Sequence, residues 1–204
     1  MTGTGRTVGV PDELSFSLSV GLVRADLQTA LADANASMNQ VLTALDRLGV
    51  RTSDVQTTGL SMNAVYDYHV AGPPTLRGYH VGQRATVLVR DLTLGGRAVS
   101  AAVAAGGNDV RVRDIGLRIA DSDTLLARSR DAAVQQATAK AQQYADATGQ
   151  SLGSVLSLRE VHVTPVVPQP LAFARSALDT AGALPIRAGK DRLAVTVRIE
   201  WSFG

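Results

Sequence analysis

The run Leu14-Ser15-Phe16-Ser17-Leu18-Ser19-Val20-Gly21-Leu22 decides the fold. Leu14, Phe16, Leu18, Val20 and Leu22 fall on one side of an extended chain, and Ser15, Ser17, Ser19 and Gly21 on the other, so the segment reads as a half-buried strand. The period then changes. Leu27, Leu31, Ala34, Met38, Val41, Leu45 and Leu48 recur at steps of four and three, opening near Asp26 as a cap and closing at Gly49. That pattern is a one-faced helix about 33 Å long, at about 1.5 Å per residue. A strand and a helix that each carry one apolar face bury those faces against a shared layer, which is the signature of an α+β domain.

Working outward, Val55 to Tyr66 and Gly78 to Arg90 read as a hairpin joined through Gly72-Pro73-Pro74, a sequence that neither helix nor sheet interior accepts. After Asp91 a short Ala-rich helix, about 93–105, ends at Gly106-Gly107-Asn108-Asp109. The order then repeats: Val110 to Ala120 is a strand, Asp123 to Thr148 a helix closed by Gly149, and Val155 to Val163 and Leu193 to Phe203 two further strands. The expectation is one domain over 1–204 made of two pseudo-repeated β-α-β-β units, about 12–90 and 110–203, with a mainly antiparallel sheet and helices packed on one face. In the second helix Leu126, Ala133, Ala137, Ala141 and Tyr144 form the expected buried stripe, small enough for the helix to sit close on its sheet. In the last strand Val195, Val197, Ile199, Trp201 and Phe203 alternate with Thr196, Arg198, Glu200 and Ser202. Arg84, Arg90 and Arg118 take comparable polar positions in their own strands.

Residues 164–190 break the pattern, with Pro165, Pro168, Pro170 and Pro185 around an Ala-rich middle. A connection this long inside a compact domain is usually functional or mobile. Leu171, Phe173 and Leu178 make one apolar edge there. Together with Arg84, Arg118 and Arg198 on the polar sheet positions they are the candidate interaction surface.

Composition bounds the partners. Hydrophobic residues are 45% and charged residues 19%, enough apolar surface to offset chain entropy. The formal charge is +2, no basic stretch occurs and aromatics are 4%, which argues against nucleic-acid binding. Lysine occurs only at Lys140 and Lys190, arginine supplying every other cation. With no cysteine there is no disulfide or thiolate chemistry, and no run of about 18 apolar residues spans a membrane.

Four short motifs invite a chemical reading, and each has a plainer one. Gly149-Gln150-Ser151-Leu152-Gly153 matches G-x-S-x-G, but a nucleophile elbow runs strand, turn, helix, and here the order is helix, turn, strand. Gly149 as a helix C-cap explains the string, and His162 is the one histidine downstream. His69, His80 and His162 lack metal-ligand spacing. Asp121-Ser122-Asp123 lacks the glycine and terminal glutamate of a calcium loop and reads as a helix cap. Gly3, Gly5 and Gly9 do not join a strand to a helix N-terminus, so they form no phosphate cradle and are expected to give the first strand backbone freedom. No catalytic residue, cofactor-binding residue or metal ligand is assigned.

Several residues together resemble the SIMPL (DUF541) family. Gly3-Thr4-Gly5 with Pro11-Asp12 is similar to its G-x-G and P-D, Asp54-Val55-Gln56-Thr57 to its D-[IV]-Q-T, Gly78-Tyr79 to its G-Y, and Gly107-Asn108 to its G-x-N region. Lys140-Ala141, Tyr144-Ala145, Gly149 and Leu152-Gly153 fit its K-A…A…G…L-G pattern, and Pro185-Ile186 with Gly189 completes the series. One departure is that Asn63-Ala64-Val65 replaces the proline usual before the Tyr66 position. The resemblance implies an exported bacterial envelope protein, with any export signal or lipidated cysteine outside these residues. The Arg and Ala bias points within the family to actinobacterial envelope lipoproteins. It further implies a link to stress resistance, assembly of some members into rings, and no established catalytic residues. The leading expectation is therefore a non-catalytic interaction or self-assembly module, its partner a second copy or another envelope protein. The alternative is a binding module for a lipid or other apolar ligand near residues 164–190.

Overall fold

The computed structural model describes residues 1–70, 72–166 and 184–204, and of 162–166 the backbone alone. Leu171, Phe173 and Leu178 lie outside the described residues. The chain folds as α+β with antiparallel sheets, in two compact units.

One unit contains residues 12–118 and 184–187. Its four strands are β2 (Glu13–Arg24), β3 (Val55–Asp67), β4 (Thr75–Val89) and β5 (Val110–Arg118), in the order β3-β4-β2-β5. Two helices, α1 (Leu27–Asp46) and α2 (Leu92–Gly106), lie on one face. The alternation in β2 is realised as read, since Leu14, Phe16, Leu18 and Val20 are all at 1% exposure or less. They meet Ala30, Ala34, Met38, Val41 and Leu45 of α1 and Ala98, Val99 and Ala102 of α2. Leu27 sits in the helical stripe but is 40% exposed, because it occupies the first turn. Asp26 caps α1 by accepting from the Thr29 amide at 2.8 Å, and Asp91 caps α2 through the Thr93 amide at 2.9 Å. Leu184-Pro185-Ile186 crosses α2 at a glycine pair: a Cβ on Gly96 would stand 2.0 Å from the Leu184 carbonyl oxygen, and Ile186 packs on the core.

The other unit contains residues 1–11, 119–166 and 188–204. Its sheet is β1 (Thr2–Gly9), β7 (Asp191–Phe203) and β6 (Leu152–Val166), in the order β1-β7-β6, with α3 (Ser122–Thr148) on one face. The strand-helix-strand-strand unit is complete over 12–90. The pairing does not show a second copy over 110–203, because β5 joins β2, and β7 lies between β6 and β1.

Here α3 and β1 explain each other. Ser129, Ala133, Ala137, Ala141 and Ala145, each four residues from the next, are buried along α3. A Cβ on Gly5 would lie 1.9 Å from the Ser129 carbonyl oxygen, and one on Gly3 would lie 2.0 Å from that of Ala133. Four helical residues advance about 6 Å and two strand residues about 6.7 Å, so a glycine every second residue in β1 faces a small residue every fourth in α3. The purpose of Gly3 and Gly5 is therefore contact distance, and the backbone freedom expected of them is not used, as both have ordinary φ. Tyr144 corrects the stripe: it is 56% exposed and Ala145 takes the buried position, because a tyrosine is too large for so close an approach.

The strand before the long connection also differs. β6 continues through Val166, so the first three residues of the expected 164–190 connection are strand, with Pro165 opposite Leu193. Proline is tolerated there because β6 is an edge, with one side of its ladder unpaired. Gly149 closes α3 in the left-handed region (φ 71°), the conformation in which a glycine C-cap avoids the Cβ clash.

Candidate functional site

The G-x-S-x-G serine has a structural task. Ser151 donates its amide and its Oγ to the Gly204 carbonyl oxygen, at 2.9 and 3.0 Å, and accepts the Gly204 amide at 3.1 Å, fastening the C-terminus beside β6. Asp121 caps α3 by accepting from the Thr124 amide at 3.1 Å. Among the described residues no group of three or more His, Asp or Glu side chains stands close enough to hold a metal ion. His69 bonds Thr75 Oγ1 at 3.1 Å, and the His80 ring lies over the Gly21–Gly82 pair.

The features that remain are surfaces. Register places Ser15, Ser17 and Ser19 of β2, Arg84 and Thr86 of β4, and Arg111, Arg113 and Arg118 of β5 on the face of the four-stranded sheet opposite its helices. The structure thus brings Arg84 and Arg118 onto one face. Arg198 belongs to the other unit, on the β7 face opposite α3, in register with Thr2 and Arg159.

A charge cluster at one end of the four-stranded sheet escaped the sequence reading. Arg90 donates to both Asp54 carboxylate oxygens (Nε 3.1 Å, Nη2 2.8 Å) and to Glu13 Oε1 (3.3 Å), while Arg51 Nε reaches Asp54 at 2.9 Å. The carboxylates are nearly enclosed, at 5% and 7% side-chain exposure. Both are engaged by guanidinium groups, so the cluster ties the starts of β2 and β3 to the end of β4 and offers no free acid or base. Asp54 opens the D-V-Q-T string with Arg51 as a local partner, but Arg90 stands 36 residues from Asp54 and 77 from Glu13, pairings that no local spacing reveals.

The bonds from Arg90 and then Arg51 hold the Asp54 carboxyl down, from the ordinary 3.8 to about 2. A folded-state value below the unfolded one stabilises the fold above the unfolded value and loses that effect as pH falls through the folded one. Denaturant midpoints for wild type and Asp54→Asn should therefore differ most above about pH 4 and converge as pH falls toward about 2. A constant difference across that range would show that Asp54 acts through something other than its charge.

The sheet edges differ from one another. Along β1, Lys140 Nζ donates to the Thr2 carbonyl oxygen at 2.9 Å and the Thr4 amide donates to Gln136 Oε1 at 2.8 Å, so side chains of α3 occupy that edge. β5 is short, is interrupted by a bulge at Asp114 (φ 52°), and carries Arg111, Arg113 and Arg118. Charge and bulges are the usual guards of an edge strand. β3 shifts register against β4 at Thr57/Gly59 and at Val65/Tyr66, but it has neither a charged residue nor a proline from Val55 to Tyr66, and it exposes Leu60 (55%), Met62 (44%) and Tyr66 (46%). β6 exposes Val155, Leu156 and Leu158, but it carries Arg159 and Glu160, the latter paired with Arg130 at 3.0 Å, and three register shifts.

The family model described as "SIMPL: Protein of unknown function (DUF541)" matches residues 1–201. The chain is 31% identical over 207 residues to the 26 kDa periplasmic immunogenic protein of Brucella melitensis, covering 98% of this chain and 82% of that relative. The protein of the same name in Brucella abortus matches to the same extent. It is 28% identical over 170 residues to the uncharacterized protein YggE of Escherichia coli K12, covering 83% of this chain and 68% of YggE.

Proposed function

The chain belongs to the SIMPL family, and from that premise we propose that it is a non-catalytic, extracytoplasmic envelope protein that assembles with further copies of itself through strand edges, β3 first. A relative 31% identical over nearly the whole chain is named as periplasmic, which supports the location. No helix among the described residues is long and apolar enough to cross a membrane.

The observation that carries the assembly reading is the contrast between edges. A thirteen-residue edge strand with exposed leucine, methionine and tyrosine and no guarding charge before Asp67 is a template for another strand, and two of the other edges are blunted. Main-chain hydrogen bonds would supply affinity, and burial of Leu60 and Met62 would supply part of the driving force. Pairing β3 of one copy with β6 of the next is a head-to-tail contact, which closes into a ring or extends into a filament.

Light scattering over a range of concentration tests this. Wild type is expected to run at a multiple of the monomer mass, and Leu60→Lys/Met62→Lys at the monomer mass with an unchanged circular dichroism spectrum. A wild type that stays monomeric at the highest concentration refutes the reading.

A further inference from the structure

The open face of the four-stranded sheet is built differently from an ordinary solvated face. Two register rows cross it: Arg84, Ser19 and Arg111 in one, Thr86, Ser17 and Arg113 in the next. The three arginines are exposed, and the serines between them are half-buried. No hydrogen bond or ion pair occupies the side chain of Arg84 or Arg113 among the described residues, whereas Arg111 Nη1 is anchored to the Asn108 and Val110 carbonyl oxygens, at 2.6 and 3.1 Å. Near this face Glu13 of β2 and Asp54, just before β3, are both held by Arg90, and Asp114 stands in the β5 bulge.

We propose that this face binds an extended phosphate-bearing polymer, lying along the β2 serine column between Arg84 on one side and Arg111 and Arg113 on the other. The face is cationic and its occupant must be anionic; the floor decides which anion. A carboxylate presents its two oxygens in one plane, the geometry that one guanidinium fork meets edge-on. A phosphate unit of a chain carries two non-bridging oxygens on a tetrahedral centre, so one can face an arginine while the other faces the floor, where hydroxyls of Ser17, Ser19 and Thr86 stand in the same rows to donate. All the cations of both rows are arginine, the side chain whose planar fork matches phosphate. The rows repeat every two strand residues, about 6.7 Å, so successive charged groups of one linear chain meet equivalent sites. Bulky apolar side chains that would enter a bilayer, and aromatic platforms for neutral sugars, are absent from these two rows. The face is separate from the β3 edge, so the inference does not depend on self-assembly.

The test uses the whole chain and linear inorganic polyphosphate, followed by calorimetry or fluorescence anisotropy at low and moderate salt. Wild type is expected to bind, with affinity falling as salt rises. Arg84→Gln/Arg113→Gln should lose about tenfold or more in affinity. Arg47→Gln/Arg128→Gln, whose cations stand at the end of α1 and on α3, should bind as wild type does. Thermal unfolding of each variant separates lost binding from lost folding, since these side chains are exposed and unpartnered. The proposal is overturned if polyphosphate does not bind, if the Arg84/Arg113 variant binds it unchanged, or if poly-L-glutamate or phosphatidylglycerol vesicles bind at least as tightly as polyphosphate.

Discussion

Replacing Gly5 by alanine is expected to destabilise the protein by about 3 kcal/mol or more and to strip α3 of its hydrogen-exchange protection. The new methyl carbon would stand 1.9 Å from the Ser129 carbonyl oxygen and 2.6 Å from the Ala133 amide nitrogen. Both are backbone atoms in the interior of a helix of 27 residues, so no rotamer change relieves the overlap. The helix must rise off the strand, and then Ala133, Ala137, Val195, Val197 and Ile199 lose their contacts together. Gly3→Ala meets the same obstacle at Ala133, so the double variant should be less than additive. Gly116→Ala is the matched control. Its Cβ would find the nearest atom at 3.9 Å, and its stability should stay within about 0.5 kcal/mol of wild type. Denaturant unfolding of the four variants measures this, and a Gly5→Ala protein as stable as Gly116→Ala would refute the account of the α3–β1 contact.

Phe16→Ala is expected to cost about 3–5 kcal/mol. Phe16 is the largest fully buried side chain among the described residues, 1% exposed, opposite Val87 in the middle of the four-stranded sheet. Its removal leaves a void bounded by two strands on the sheet side and by the helices above, and elements held by two ladders collapse poorly into a hole. The midpoint of urea unfolding should fall with little change in slope. Tyr144→Ala removes a side chain of similar size from an exposed helix position and should fall within about 0.5 kcal/mol of wild type. Equal losses for the two would contradict the assignment of the α3 face.

These two positions also mark what could be read from sequence. Phe16 was legible because its neighbours alternate strictly, and the helix after it carries a stripe of large residues. The α3 stripe was legible in its alanines and misread at Tyr144, since periodicity locates a face without stating how near the opposite layer comes. Gly3 and Gly5 give no periodic signal of their own. Their use becomes visible only when β1 lies along α3, more than a hundred residues away in sequence. The same limit hid the pairing of β5 with β2 and of β1 with β7, because element order fixes neighbours along the chain and hydrogen-bond ladders need not follow it. Of the surface, Arg84 and Arg118 were found as polar positions of strands. The β3 edge was not, although its signal was present: a run from Val55 to Tyr66 with no charged residue. Whether a strand is central or an edge is a property of the sheet, and only an edge makes that run significant.

Hydrogen exchange as a function of protein concentration tests assembly through β3 most directly. Val55 to Tyr66 lies on the outside of the sheet, so the amides that point away from β4 have no strand partner among the described residues. Assembly through this edge predicts that those amides exchange fast in dilute protein and slow down as concentration rises, while amides of β1 and β5 do not change. Exchange from the outer amides of β3 at one rate, dilute or concentrated, would contradict it.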